Sequence, residues 1–233
     1  MIPRQRLVLF GRLPEPGRTK TRLAPVLGMA GAATLYEAFL DDLVALDVGT
    51  SQRELWVPAR PDAIRRLGLR YPGLRIRLQP EGDLGARLRA AFEAAFADGM
   101  DHAVIVGSDH PTLPEEFVRR AFRTLGDAGL VIGPTGDGGY YAIGLRKYCW
   151  PDAAGLFDDA PWSTPDLYAW TRKRAGELGL HHVELSAWYD VDTPSDLDRL
   201  RRDVVPGSAT ARALATLSMT TETTIPDTEN DDE

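Results

Sequence analysis

The chain has one cysteine, Cys149, among its 233 residues, so it can form no internal disulfide, which excludes a disulfide-stapled secreted scaffold. No apolar run in the sequence approaches the roughly 18–20 residues of a membrane span. The apolar part of the opening MIPRQRLVLFGRLPEPG is too short for a secretory leader. Together these absences point to a cytoplasmic location with no membrane span. A global basic field is missing too. The formal net charge is −7, but the last fourteen residues, TTETTIPDTENDDE, hold six carboxylates, and without them the body balances 27 basic against 28 acidic residues. Such a body has no surface for tracking nucleic acid. No second histidine or cysteine stands at zinc-ligand spacing from His110, and Ser108 lies outside any G-x-S-x-G elbow, which argues against a zinc site and a serine hydrolase. No internal repeat and no dimer signal are visible, leaving the oligomeric state open.

With 43% hydrophobic and 26% charged residues, the chain falls in the ordinary globular range. Its length suits one domain, placed at 1–205, followed by a flexible acidic tail at 206–233. Short apolar strands are expected at LVLF (7–10), ELWVPA (54–59), LRIRLQ (74–79), HAVIVG (102–107) and LVIGPT (130–135). Helix-period stretches separate them. In DLGARLRAAFEAAFADG, Leu84, Leu88, Phe92 and Phe96 form one apolar stripe. Strand and helix alternate four times over the first 125 residues, which predicts a mostly parallel sheet with crossover helices on both faces. Beyond that, GDGGYYAIGL and HHVELSAW read as two more strands, and TPSDLDRLRR as a final helix capped at Thr193.

In open α/β sheets ligands bind beyond the carboxyl ends of the strands, and four polar, glycine-bearing segments fall there. The first, GRLPEPGRTKTRLAP, follows strand 7–10. It carries Gly11, Arg12, Gly17, Arg18, Lys20 and Arg22, and residues 1–25 set six basic groups against Glu15 alone. Backbone amides and cations of this kind can hold a diphosphate. The segment is neither a Walker A loop nor G-x-G-x-x-G, and a solvated basic arm is the plain alternative. The second places Gly82 and Asp83 at a helix start, where Asp83 also reads as an ordinary cap. The third, VIVGSDHPTLP, ends a strand at Asp109, a carboxylate placed to bind a hard divalent cation that would bridge phosphate oxygens; capping the next helix is its alternative. The fourth, GPTGDGGYYAIGL, sets Asp137 among glycines ahead of two tyrosines. Near the end of WYDVDTPSDL, Asp190 and Asp192 alternate on one strand face, where one could be a second metal ligand or a helix cap.

In this order, FGRLPEPGRTKTRLAP, GDLGARL, VGSDHPTL, GPTGDGGYYAIGL, APWST and WYDVDTPSDL resemble the bacterial glycosyltransferase-like family of radical-SAM/selenodomain-associated transferases. The resemblance runs over roughly residues 5–203. TKTRLAPVL is also similar to 2-phospho-L-lactate guanylyltransferase, and DVDTPSDL to the molybdenum-cofactor guanylyltransferases. The resemblance implies a three-layer α/β/α fold of the nucleotide-diphospho-sugar transferase (GT-A) type. It implies a metal-dependent transferase using an activated nucleotide, either a nucleotide-sugar glycosyltransferase or a nucleotidyltransferase that releases pyrophosphate. A non-catalytic nucleotide-binding module is the third reading.

Residue by residue, the resemblance puts the nucleotide on Gly11, Arg12, Gly17, Arg18, Lys20, Arg22, Gly82 and Asp83. It puts Mg²⁺ or Mn²⁺ on Asp109 and Asp192, with Asp190 as the alternative to Asp192. Asp109, Asp137 and Lys20 would be catalytic, and Gly138, Gly139, Tyr140, Trp162 and Ser163 would face a small-molecule acceptor. Thr112 departs from the family pattern, standing where relatives carry an aspartate. If that aspartate serves function, the metal shell here is poorer.

Overall fold

The computed structural model describes residues 2–50 and 52–222. Its strands are β1 (Gln5–Phe10), β2 (Gln52–Pro58), β3 (Arg75–Gln79), β4 (His102–Gly107), β5 (Leu130–Pro134), β6 (Tyr140–Arg146) and β7 (His182–Glu184). Its α-helices are α1 (Ala24–Ala45), α2 (Ala63–Arg70), α3 (Leu84–Ala97), α4 (Glu115–Thr124), α5 (Trp150–Ala153), α6 (Leu167–Glu177), α7 (Pro194–Asp203) and α8 (Ala209–Glu222). The strands form one sheet in the order β3-β2-β1-β4-β6-β5-β7. Strands β3, β2, β1 and β4 are parallel, as the strand–helix alternation requires. β6 runs antiparallel to both β4 and β5. The five residues between β5 and β6 are too few for a crossover, so the chain can only fold back on itself.

Alternating side chains give the sheet two buried faces. Leu7 and Leu9 of β1 pack with Leu35, Phe39 and Leu40 of α1, Phe122 of α4, and Leu197 and Leu200 of α7. Val8, between them, packs on the other face with Leu88, Phe92 and Phe96 of α3 and with Ala175 of α6. The apolar stripe read from α3 is thus its sheet-facing side.

Two expectations are corrected. Residues Thr21–Ala45 are long and apolar enough to cross a membrane by length and composition, with a mean hydropathy of 1.4, but half of that window is buried. Leu35, Tyr36, Phe39 and Leu40 lie against the sheet, the behaviour of a core helix. The flexible tail expected from 206 also begins differently. α8 starts at Ala209 and packs on α1, with Leu214 in the core. Asp42 of α1 accepts from the amides of Ala209 and Thr210 at 2.7 and 2.8 Å, capping the new helix. The rest of the expected tail, 223–233, lies outside the described residues.

Candidate active site

The β1–α1 loop, the β4 end and the approach to α7 meet at the carboxyl side of the sheet. Tyr36 ties two of them together. Its buried hydroxyl accepts from the Arg12 amide at 2.8 Å and shares a hydrogen bond of 2.7 Å with Ser108. Burial, with the Asp109 charge adding, pushes the Tyr36 pKa up and keeps the phenol protonated. Gly11 lies where a Cβ would come within 2.8 Å of the Leu40 side chain, so a larger residue there would require that leucine to shift. Thr19 pins the far side, donating to the Leu13 carbonyl and accepting from the Glu15 amide. The third segment is tied in by the Val191 amide, which donates to the Asp109 carbonyl at 2.9 Å.

These ties place Lys20 between two carboxylates. Its Nζ is 2.5 Å from Asp109 Oδ1 and is also paired with Asp192 Oδ1. The lysine side chain is 5% exposed, while those of Asp109 and Asp192 are 44% and 41% exposed. Burial works against an ionised Asp109, but the charge and hydrogen bond of Lys20, helped by His110 and Arg12, hold its pKa below the usual carboxylate value. Asp190 goes the other way. Burial first, then repulsion from Asp192 and Asp137, push it up to about 6. Asp192 is not spent as a helix cap. Asp196 does that work, its Oδ2 accepting from the amides of Asp192 and Thr193 and from the Thr193 hydroxyl.

Two oxygens converging on one ammonium mark a cation position. Carboxylates half open to a cleft fit a hard divalent cation that completes its shell with water and phosphate oxygens. Among the described residues, no group of three or more His, Cys, Asp or Glu side chains is arranged to hold a metal. Thr112 does not weaken the carboxylate pair. Its buried hydroxyl is engaged with Tyr189 at 2.8 Å and Trp188 at 3.3 Å, so the position serves packing under α7.

Around this pair open two joined cavities. The larger, about 730 Å³, is lined by Arg12, Arg18, Lys20, Arg22, Asp109, Thr135, Asp137, Gly139, Tyr140, Ser163, Asp190 and Asp192, among others. The smaller, about 240 Å³, runs between β1, β3, α3 and β4, with Phe10, Gly11, Gln79, Arg87 and Leu88 in its wall. Among the described residues, the guanidiniums of Arg12, Arg18 and Arg22 form no ion pair.

Five expected site residues stand elsewhere in the local structure. Gly17 turns the first loop at a φ of +75° outside the lining. Gly82 and Asp83 form the start of α3, where Asp83 accepts from the Ala86 amide at 2.8 Å; the cap explains them. Trp162 lies against Gly85 instead of lining the cleft, its ring within 2.8 Å of where a Cβ would stand. Gly138, at φ +89°, lets the β5–β6 turn pass under Pro165, whose oxygen would lie 1.9 Å from an added Cβ. Asp137 lines the cleft, but its Oδ1 also braces that turn through Thr135 and the Gly139 amide.

The sequence reading missed Tyr36, Gln79 and Arg87. A phenol in the apolar stripe of α1 was the available sign for Tyr36. Gln79, at the last position of β3, follows from the strand-end rule. Nothing in the spacing singles out Arg87, whose buried Nε has no partner among the described residues.

A basic loop after the first strand, an aspartate after the fourth and a carboxylate before α7, on one α/β/α sheet, define a transferase of the nucleotide-diphospho-sugar transferase fold. Residues 41–164 match the family model described as uncharacterized proteins conserved in bacteria (DUF2064), and the chain belongs to that family. It is 32% identical to a protein of Desulfovibrio desulfuricans G20 provisionally named a nucleotide-diphospho-sugar transferase. That match covers 95% of this chain and 98% of the other, with a TM-score of 0.87. Two more distant structures share the fold alone. One is Rv0371C of Mycobacterium tuberculosis H37Rv in complex with manganese (20% identity, 87% and 100% covered, TM-score 0.53). The other is a nucleotidyl transferase of Methanothermobacter thermautotrophicus (15%, 91% and 99%, 0.57). No curated protein matches the sequence.

Proposed function

We propose that this protein transfers a group from an activated nucleotide to a small acceptor, with a nucleoside-diphosphate sugar as donor. One observation carries the reading: Arg12, Arg18 and Arg22, which form no ion pair among the described residues, share a cleft with two carboxylates converging on a single cation position. Guanidiniums are suited to bind phosphate oxygens, often two at a time. A carboxylate pair beside them is suited to a divalent cation, Mg²⁺ or Mn²⁺, shared with those phosphates. The manganese complex of the mycobacterial relative supports that choice.

In this reading Asp109 and Asp192 hold the cation, which when bound offsets negative charge on the departing phosphate. Arg12, Arg18, Arg22 and Lys20 grip the diphosphate and fix its direction. The base fits the smaller cavity, where Gln79 is held by its Nε2 on the Trp56 carbonyl at 3.0 Å and Arg87 has a hydrogen-bonding atom to spare. The acceptor lies against Thr135, Asp137, Gly139, Tyr140 and Ser163, across the cleft from the basic loop. The gain is one of position and charge: two reactants are oriented, and the leaving group is met by cations already in place.

Nucleotidyl transfer is the second reading, favoured by the Methanothermobacter relative of the same fold. Here the acceptor phosphate attacks the α-phosphate and pyrophosphate leaves. A thermal-shift screen of nucleoside triphosphates and nucleotide sugars, with and without Mn²⁺, identifies the donor. The released product then separates the two: nucleoside diphosphate for glycosyl transfer, pyrophosphate for nucleotidyl transfer. Stabilisation by nucleotide that ignores Mn²⁺ and survives Asp109→Asn would reduce the chain to a binding module.

A further inference from the structure

We propose that Lys20 is an internal competitor for the divalent cation: its ammonium holds the position between Asp109 and Asp192, and a metal ion enters only as Lys20 turns away to a phosphate. The inference rests on the reading above that this carboxylate pair is a metal seat. It concerns the order and coupling of binding, which that reading leaves open.

The geometry sets up the competition. Nζ lies 2.5 Å from Asp109 Oδ1 and is paired with Asp192 Oδ1, and these are two of the four oxygens a metal could use. A divalent ion bound at roughly 2.0–2.2 Å from the same atoms would sit almost on top of the ammonium. Two cations that close repel strongly, so one must go. Their approaches differ as well. The lysine side chain comes from the protein side and is 5% exposed, while both carboxylates are more than 40% exposed. Metal can therefore arrive from the cleft while the lysine retreats along its own stem.

The exchange also has a destination. Lys20 shares its cleft with Arg12, Arg18 and Arg22, so a phosphate drawn to the arginines offers the ammonium a new anion within the same loop. Its backbone is in the left-handed region, at φ 48° and ψ 43°, which is uncommon for a side chain with a Cβ. The buried Thr19 next to it is tied to Leu13 and Glu15. The stem is thus anchored, and the long side chain supplies the movement. Metal alone must displace an ion pair. Metal arriving with a phosphate finds the seat vacated, so each raises the affinity of the other.

Titration of the full-length chain with Mn²⁺ alone, followed by the electron paramagnetic resonance signal of the free ion, tests this directly. Lys20→Met is expected to bind Mn²⁺ at least about tenfold more tightly than wild type, equivalent to ~1.4 kcal/mol. Adding Asp192→Asn to Lys20→Met is expected to remove the gain. Equal Mn²⁺ affinity in wild type and Lys20→Met overturns the competition and leaves the metal seat standing. Absence of Mn²⁺ binding in both, with and without inorganic pyrophosphate, overturns the metal reading and the competition with it. Should Lys20→Met not fold, a crystal structure of the wild-type protein grown with Mn²⁺ decides. Nζ displaced from both carboxylates supports the proposal, and Nζ still paired with them beside the ion overturns it.

Discussion

The sheet carries an ionic cluster toward each end, and the two are built on opposite terms. Near the amino ends of the strands, Arg6 and Glu54 are each 3% exposed and pair at 3.2 Å. Asp98, at the end of α3, binds Arg6 at 2.8 Å, and Arg75 and Arg77 each reach both acids. Every charge there has an opposite partner within the cluster. At the carboxyl ends a single ammonium serves Asp109 and Asp192, while among the described residues Asp190 and three arginines line the same cleft without an ion pair. The first cluster is closed in charge: each of its ions is paired by the protein's own side chains, although the buried Nε of Arg6 has no hydrogen-bond partner among the described residues. The second leaves both signs of charge unspent a short distance apart, an arrangement that stabilises a folded chain poorly and suits a ligand bearing both signs, such as a metal-bound phosphate. Ion pairs alone would not have told the two apart; how many charges are left without an opposite partner does.

Breaking the closed cluster should produce the largest loss of stability. Glu54→Ala takes from Arg6 its one buried acid and leaves it only Asp98, whose side chain is 39% exposed, so the cost is expected at the lower end of the about 3–5 kcal/mol for breaking a buried pair. Urea unfolding should report that loss, and donor-induced thermal shifts should persist in whatever remains folded. Asp109→Asn attacks the open cluster and should do the reverse. Transfer should slow by about 10²–10³, since metal stabilisation is worth several kcal/mol, while the melting temperature stays within a few degrees. Turnover with the donor found by screening checks it, and near-normal turnover would refute the role given to Asp109.

A smaller contrast separates the arginines. Arg18→Gln should weaken donor binding about tenfold, as loss of one charge-assisted phosphate contact implies, whereas Arg75→Gln should leave binding untouched; isothermal titration distinguishes them. The smallest effect lies in pH. The hydrogen bond from Arg6 holds the Asp98 pKa below the usual carboxylate value against the cost of burial, with the charges of Arg6, Arg77 and Arg75 adding to it. Asp98 therefore stabilises the fold above its unfolded pKa of about 3.9, and the contribution fades as pH falls through the lower folded value. Melting temperatures of wild type and Asp98→Asn should differ above pH ~5 and converge in strong acid.

Much of the architecture was legible because it depends on local pattern. Short apolar runs between helix-period stretches gave five strands near their observed places, and the strand-end rule led to Asp109, Lys20 and Asp192 from three separate stretches. What stayed hidden depends on contacts distant in sequence. Asp192 could be read equally as a cap until Asp196 was seen to take that work. The resemblance of its APWST segment puts Trp162 at the acceptor, but packing against Gly85 claims the ring. The polar tip of Tyr36, buried in a helix stripe, gives no periodic sign that it joins the first loop to Ser108. The composition after Pro206 suggested a tail, and only the carboxylate of Asp42, 167 residues earlier, reveals a helix start there.

That last contact has a practical consequence. Because α8 is stapled to α1, and α1 also carries Tyr36, the C-terminal helix and the first helix brace one wall beneath the cleft. A version trimmed after Asp203 to remove an apparent appendage would bare the outer flank of α1, where Gly31 lies so close to Leu217 that a Cβ would come within 3.0 Å of it. Fusions and tags are better added beyond residue 222, where they leave that brace undisturbed.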